Sequence, residues 1–299
     1  MRTSAFFGAA LVAVAAFTYS PSVLAESPTL TKIKSSGAIT LGHRESSVPF
    51  SYLGADQKPV GFSLDLCTAI VERIKNVLKL DKVTVNLTPV NSSNRIPLIQ
   101  NGTVDIECGG TANSLARQKQ VDFSVAIFVS QPRWLAKTDS KIAGIAELKG
   151  KTVVVTQGSN AIDFARAANA KDGLDLSIVQ AKDHAESLLM VQTGRAVAFL
   201  EDNILLAGLK AEVPNPASLI FLPGGYQELY YGLMFTKNDP EFKGLIDKVL
   251  FEKMASGEFI KLYDKWFMSP IPPKGTNLEF PLSDALKERV AHPSDKVDY

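Results

Sequence analysis

The chain has 299 residues, 45% of them hydrophobic and 21% charged, with 32 Lys+Arg against 31 Asp+Glu. That length leaves room for two ordinary domains and a core that needs no disulfide staple, in the profile of a water-soluble globular protein. A formal charge of +1 leaves no basic excess to neutralise phosphates, which excludes nucleic acid or an anionic membrane surface as the main partner.

Residues 1–25 read as a secretory signal peptide: Arg2 gives a positive start, Phe6–Phe17 is almost wholly apolar, and Val23-Leu24-Ala25 ends in a cleavage pattern. The apolar run falls short of the about 20 residues a spanning helix needs. No Cys lies near the cleavage point to carry a lipid. Removing Arg2 with this segment leaves 31 side chains of each sign, and the expectation is a neutral, soluble, periplasmic, monomeric chain. Export permits a disulfide between Cys67 and Cys108, but sequence does not say whether their Cα atoms approach to about 6 Å. The expectation is two buried free thiols. The N-x-S/T sequons at Asn86, Asn91 and Asn101 are taken as chance.

From there strands and helices alternate. Ala38–Gly42 is a short apolar strand. Ser63 is expected to cap a helix over Leu64–Leu80, with Leu66, Ile70, Ile74, Val77 and Leu78 on one face. Val83–Pro89 alternates as a strand, Arg95–Gln100 is a short helix, and Val104–Cys108 is a strand running into Gly109-Gly110. Val121–Phe128 and Arg133–Lys137 are extended, and between them the chain is expected to cross to a second unit. There Thr152–Thr156 is a strand, Gly158-Ser159-Asn160 turns into a helix ending near Asn169, and Leu176–Ala181 is a strand. A helix His184–Thr193, a strand Ala196–Leu200 and a helix Asp202–Val213 follow. Tyr231–Thr236 returns, followed by helical patterns at Pro240–Ser256 and Phe259–Phe267, with Leu245, Val249 and Phe251 as a core stripe. A Pro-rich tail starts at Pro270.

This order predicts an α/β protein of two lobes, each a mostly parallel sheet flanked by helices, joined by two hinge crossings. The expected lobes are 26–129 with 234–299, and 130–233. Ligands of such sheets collect at the carboxyl ends of the strands. The polar residues lie there: Arg44 after the first strand, Ser92 and Arg95 after the next, Gly110, Ala112 and Arg117 after the third. Ser159 and Asn160 open one helix, His184 opens another, and Asp202 ends a strand. Three arginines and one aspartate complement a zwitterion with two carboxylates and one ammonium. A closing cleft strips water from such a ligand, so each buried charge needs a partner. The planar guanidinium meets a carboxylate with two parallel hydrogen bonds, and a helix start adds N–H donors.

The segments GHRESSVPFSY, NSSNRIPLIQNGTVDIECGGT, ARQKQVDFS, AKDH and GRAVAFLED resemble the periplasmic glutamate/aspartate-binding proteins of ABC importers, family 3 solute-binding proteins. The resemblance runs from Leu30 to the Phe280 region. It implies the two-lobed type II periplasmic-binding-protein fold and no catalysis, with L-glutamate or L-aspartate and the importer's permease subunits as partners; no cofactor is expected, and three His and two Cys separated in sequence argue against a zinc site. It further implies that Arg117 holds the ligand α-carboxylate and Asp202 the α-ammonium. Arg44, Ser92, Arg95 and His184 fall to the distal carboxylate. Three positions depart from the pattern: Gly110 stands for a serine, and Ala112 and Asn160 for threonines.

Each residue also has a plainer reading. Arg44 fits a solvated loop, Arg95 and Arg117 fit surface ion pairs with Asp105, Glu107 or Asp122, and His184 and Asp202 fit helix caps. Phe50 and Tyr52 suit either the ligand's aliphatic part or the core. Enzyme signatures such as GxSxG, HExxH, a Walker loop or GxGxxG are missing from the sequence. An enzyme on the same fold, such as a dehydratase of a small carboxylate, would need His184 or Glu45 as proton donor. The same module serving another polar amino acid such as glutamine is the further alternative.

Overall fold

The computed structural model describes residues 26–299; the expected signal peptide lies outside them. Two five-stranded sheets organise the chain. In the first, the order is Thr84–Pro89, Ala38–His43, Ile106–Glu107, Met234–Phe235, Asp122–Phe123. Its first three strands are parallel, and Met234–Phe235 runs antiparallel to both neighbours. In the second, the order is Ser177–Ala181, Thr152–Thr156, Ala198–Asp202, Pro132–Lys137, Leu219–Phe221. Here too the first three are parallel, and Pro132–Lys137 is antiparallel to the strands on either side.

The chain leaves the first sheet through Phe128–Ser130 and returns through Leu229–Tyr231. These two segments pair antiparallel, with Tyr231 opposite Phe128. Two crossings side by side are the connection anticipated from the extended stretches around Phe128–Arg133 and Tyr231–Phe235.

Helix Phe62–Val77 shows why the first lobe holds together. Phe62, Leu66, Ile70 and Ile74 recur every fourth residue and are all fully buried, the period that puts one stripe on one face. The stripe ends there: Val77 is 52% exposed. Ser63 does not cap this helix. The helix begins two residues earlier, after Gly61, with no side-chain cap, and the Ser63 hydroxyl donates to the Gly109 carbonyl at 2.9 Å. The core of this lobe is aromatic: Phe50 packs against Phe62, Phe128, Tyr231 and Phe267. Phe50 and Tyr52 both belong to this core.

Two other expectations need correction. Cys67 and Cys108 form a disulfide with Cα atoms 6.3 Å apart; the helix lies over the strand end, a proximity that only packing creates. Phe251 is 42% exposed while Val249 is buried, because a residue two positions on points to the opposite side of a helix. The Pro-rich tail is structured: Pro270–Ile271 pairs with Thr276–Asn277, and a helix forms at Asp284–Ala291. A helix at Pro28–Ser36, capped by Ser27, was not anticipated.

Candidate functional site

The carboxyl ends of the two sheets face each other, and the singled-out residues meet there. Arg44 follows strand Ala38–His43 and is 1% exposed. Its Nη2 donates to Ser92 Oγ at 3.0 Å and lies 3.2 Å from His184 Nε2, across the junction between the sheets. Arg95 is buried at the start of its helix and donates to Thr111 Oγ1 at 2.6 Å; Thr111 in turn donates to Glu107 Oε2 at 2.6 Å. Arg117 is half-buried, donating to the Ala112 carbonyl at 2.8 Å and to the Gly158 carbonyl at 3.3 Å. The last contact also crosses between the sheets.

None of the three arginines forms a direct ion pair with a carboxylate among the described residues. The anticipated surface partners are engaged elsewhere: Asp105 binds Lys32 at 2.8 Å, and Asp122 accepts from the Asn238 N–H. Glu107 is fully buried and reaches Arg95 only through Thr111. Arg44 Nη1, Arg95 Nε, Glu107 Oε1, Glu201 Oε2 and Asp202 Oδ1 are buried with no protein hydrogen-bond partner. Buried polar atoms are otherwise nearly always bonded. Burial first, and then Arg95, push the Arg44 and Arg117 guanidiniums down to about 10, so both stay charged at neutral pH.

The second sheet supplies the opposite sign. Asp202 ends strand Ala198–Asp202 and precedes helix Asn203–Glu212, yet its side chain makes no cap bond. Instead Oδ2 accepts the Tyr231 hydroxyl. Burial lifts its carboxyl to about 6. His184 is 2% exposed at the start of its helix, whose cap is Asp183. Nδ1 lies 2.8 Å from Thr156 Oγ1. Burial and the nearby Arg44 and Arg95 hold the imidazole well below its ordinary range. Because Arg44 can only donate, Nε2 must accept and the proton sits on Nδ1.

Gly110, Ala112, Ser159 and Asn160 contribute differently. A Cβ at Gly110 would lie 2.9 Å from Tyr231 and 3.1 Å from Phe50, so these two rings occupy the space a serine would need. Ala112 points its methyl into the core and offers its carbonyl to Arg117. Ser159 is buried and Oγ accepts the Ala161 N–H at 3.2 Å. Asn160 sits at the start of helix Ala161–Asp172 with no cap bond and is half-buried. Gly158 has φ +78°, and a Cβ there would lie 2.5 Å from the Ser92 carbonyl, so only glycine lets the second lobe approach so closely. A cavity of about 230 Å³ lined by Arg44, Glu45, Asn91, Asn94, Lys182 and Asp183 opens beside the junction.

Sequence reasoning missed Tyr231, Thr111, Thr156 and Glu201 as site residues, and took Glu107 only as a surface partner. A usable signal existed: Glu107 and Glu201 are acids inside short apolar strands, where an unpaired charge is costly.

The class follows: a two-lobed α/β binding protein with a charged site between its lobes. The chain belongs to the bacterial extracellular solute-binding proteins, family 3, whose sequence profile matches residues 39–269. It is 48% identical to the L-glutamate/L-aspartate-binding protein of Pseudomonas aeruginosa, over 95% of each chain. It is 45% identical to the glutamate/aspartate import solute-binding protein of Escherichia coli, over 90% of this chain and 89% of that one. Among solved structures, an ancestral arginine-binding protein bound to glutamine superimposes with a TM-score of 0.68 at 28% identity, covering 77% of this chain and 98% of that one. The P235GK mutant of the arginine-binding protein from T. maritima gives 0.70 at 25% identity, over 80% and 98%.

Proposed function

We propose that this protein is a monomeric periplasmic solute-binding protein that captures L-glutamate or L-aspartate and delivers it to the permease subunits of an ABC importer. Lobe 1 is residues 26–129 with 234–299, and lobe 2 is 130–233. One observation carries the reading: three guanidiniums from the first lobe face Asp202 of the second, and none has a carboxylate partner of its own. A doubly acidic zwitterion supplies the two carboxylates and the ammonium that this arrangement lacks. The relatives named for glutamate and aspartate support the same choice.

In this reading Arg117 takes the α-carboxylate, Asp202 the α-ammonium, and Arg44, Ser92, Arg95 and His184 the distal carboxylate. Gly110 and Ala112 contribute backbone groups, and Ser159 and Asn160 donors at the helix start. Ligand bound on one lobe gains further contacts when the other closes, and that difference shifts the population to the closed form. Micromolar binding, about −8 kcal/mol, serves such uptake. The test is a thermal-shift screen of the twenty amino acids. Glutamate and aspartate should raise the melting temperature most; a larger shift with glutamine or arginine rejects the assignment.

A further inference from the structure

Glu201 takes no part in the ligand set above, yet it lies at the centre of the second lobe's face. It is 2% exposed on strand Ala198–Asp202. Its Oε1 accepts the Asp202 N–H at 3.2 Å, and Oε2 lies 3.4 Å from His184 Nδ1 with no hydrogen bond. His184 Nδ1 is closer to Thr156, and Nε2 is turned to Arg44. Arg133 stands opposite Glu201 in the sheet register, but its guanidinium donates to the carbonyls of Leu222 and Gly224. No Lys or Arg pairs with Glu201 among the described residues. Ser159 from the helix start and Arg44 from the first lobe favour its ionised form; burial and Asp202 oppose it. Tyr231 and Arg117 face it more remotely.

The set at the junction therefore contains three cations, Arg44 and Arg95 buried and Arg117 half-buried, and three buried acids, Glu107, Glu201 and Asp202. Fully ionised, it sums to zero. A ligand with one ammonium and two carboxylates adds one negative charge, and an uncompensated charge in a closed cleft is costly. Resting on the functional reading above, we propose that Glu201 couples capture of the acidic amino acid to uptake of one proton from solvent, received on its unpartnered carboxylate oxygen. Burial and the adjacent Asp202 already lift this carboxyl to about 7, so it gives way to the incoming anion before Asp202, which the ligand ammonium keeps ionised. His184 is held neutral and adds no proton. Glu201 acts as a positioning and charge-balancing residue that need not touch the ligand.

Calorimetric titration of L-glutamate in buffers of different ionisation enthalpy, between pH 6.5 and 8.5, tests this. The wild-type protein should take up a fraction of a proton near pH 7, rising toward one at pH 8.5. Its Kd should weaken above pH 7 by up to about tenfold per pH unit. The Glu201→Gln variant, with the same shape and no titratable proton, should bind with little proton uptake and a nearly flat profile. No uptake by the wild type overturns the proposal without any variant, as does equal uptake by Glu201→Gln. If wild-type protein gives no heat with either glutamate or aspartate, the functional reading itself fails and takes this inference with it. Binding without proton uptake sinks the inference alone.

Discussion

The two lobes share a topology but not a charge. Both build three parallel strands beside an antiparallel one, and both point strand ends at the same junction. The first lobe brings Arg44, Arg95 and Arg117 there, with Glu107 beneath them. The second brings Asp202 and Glu201, with a neutral His184. Opposite signs on facing surfaces attract across the site without meeting there: Arg44 reaches His184 and Arg117 reaches a backbone carbonyl, while away from the site Lys274 pairs with Glu212 at 3.7 Å and Gly208 packs against Val48. Repeating a fold is easy for a sequence, because hydrophobic period alone drives it. Dividing charge between the copies is what equips the pair to hold a zwitterion.

The comparison breaks most severely when one lobe loses its charge. Arg117→Ala should abolish glutamate and aspartate binding in calorimetry while leaving the fold intact, a loss of about 3–5 kcal/mol as for a buried ion pair stripped of one partner. Normal affinity would place the α-carboxylate elsewhere. The frame behind the positive half is tested next. The disulfide closes a loop of sequence separation 41, so replacing both cysteines with alanine should lower unfolding free energy by about 4 kcal/mol, read by denaturant titration.

Smaller changes sharpen the contrast. Tyr231→Phe removes the hydroxyl that Asp202 accepts, a bond to a charged group worth about 1.5–3 kcal/mol; calorimetry should show a 10- to 100-fold weaker Kd. Gly110→Ser forces a side chain into Tyr231 and Phe50 and should cost about 1–3 kcal/mol of stability by overpacking, measured by thermal or chemical melting. Last, Glu201 titrates near 7 in the folded chain against an unfolded value near 4.3. Its raised value gives stability that is full below the unfolded value and is lost as pH rises through 7, by at most about 1.4 kcal/mol per unit. Chemical melts of free protein from about pH 4.5 to 8.5 should show that slope between the two values and level off above 7, and Glu201→Gln should flatten it.

Sequence alone determined the alternation of strands and helices, the two crossings and the gathering of Arg44, Arg95, Arg117, His184 and Asp202 at strand ends, because these follow from local period and from where polar residues interrupt apolar runs. The tertiary structure decided what depends on approach between distant segments. It joined Cys67 to Cys108, turned Ser63 from a cap into a donor to Gly109, and filled the space beside Gly110 with Tyr231 and Phe50. It also sealed Glu201 beside His184. Such facts are distances between parts of the chain far apart in sequence, and no local pattern encodes them.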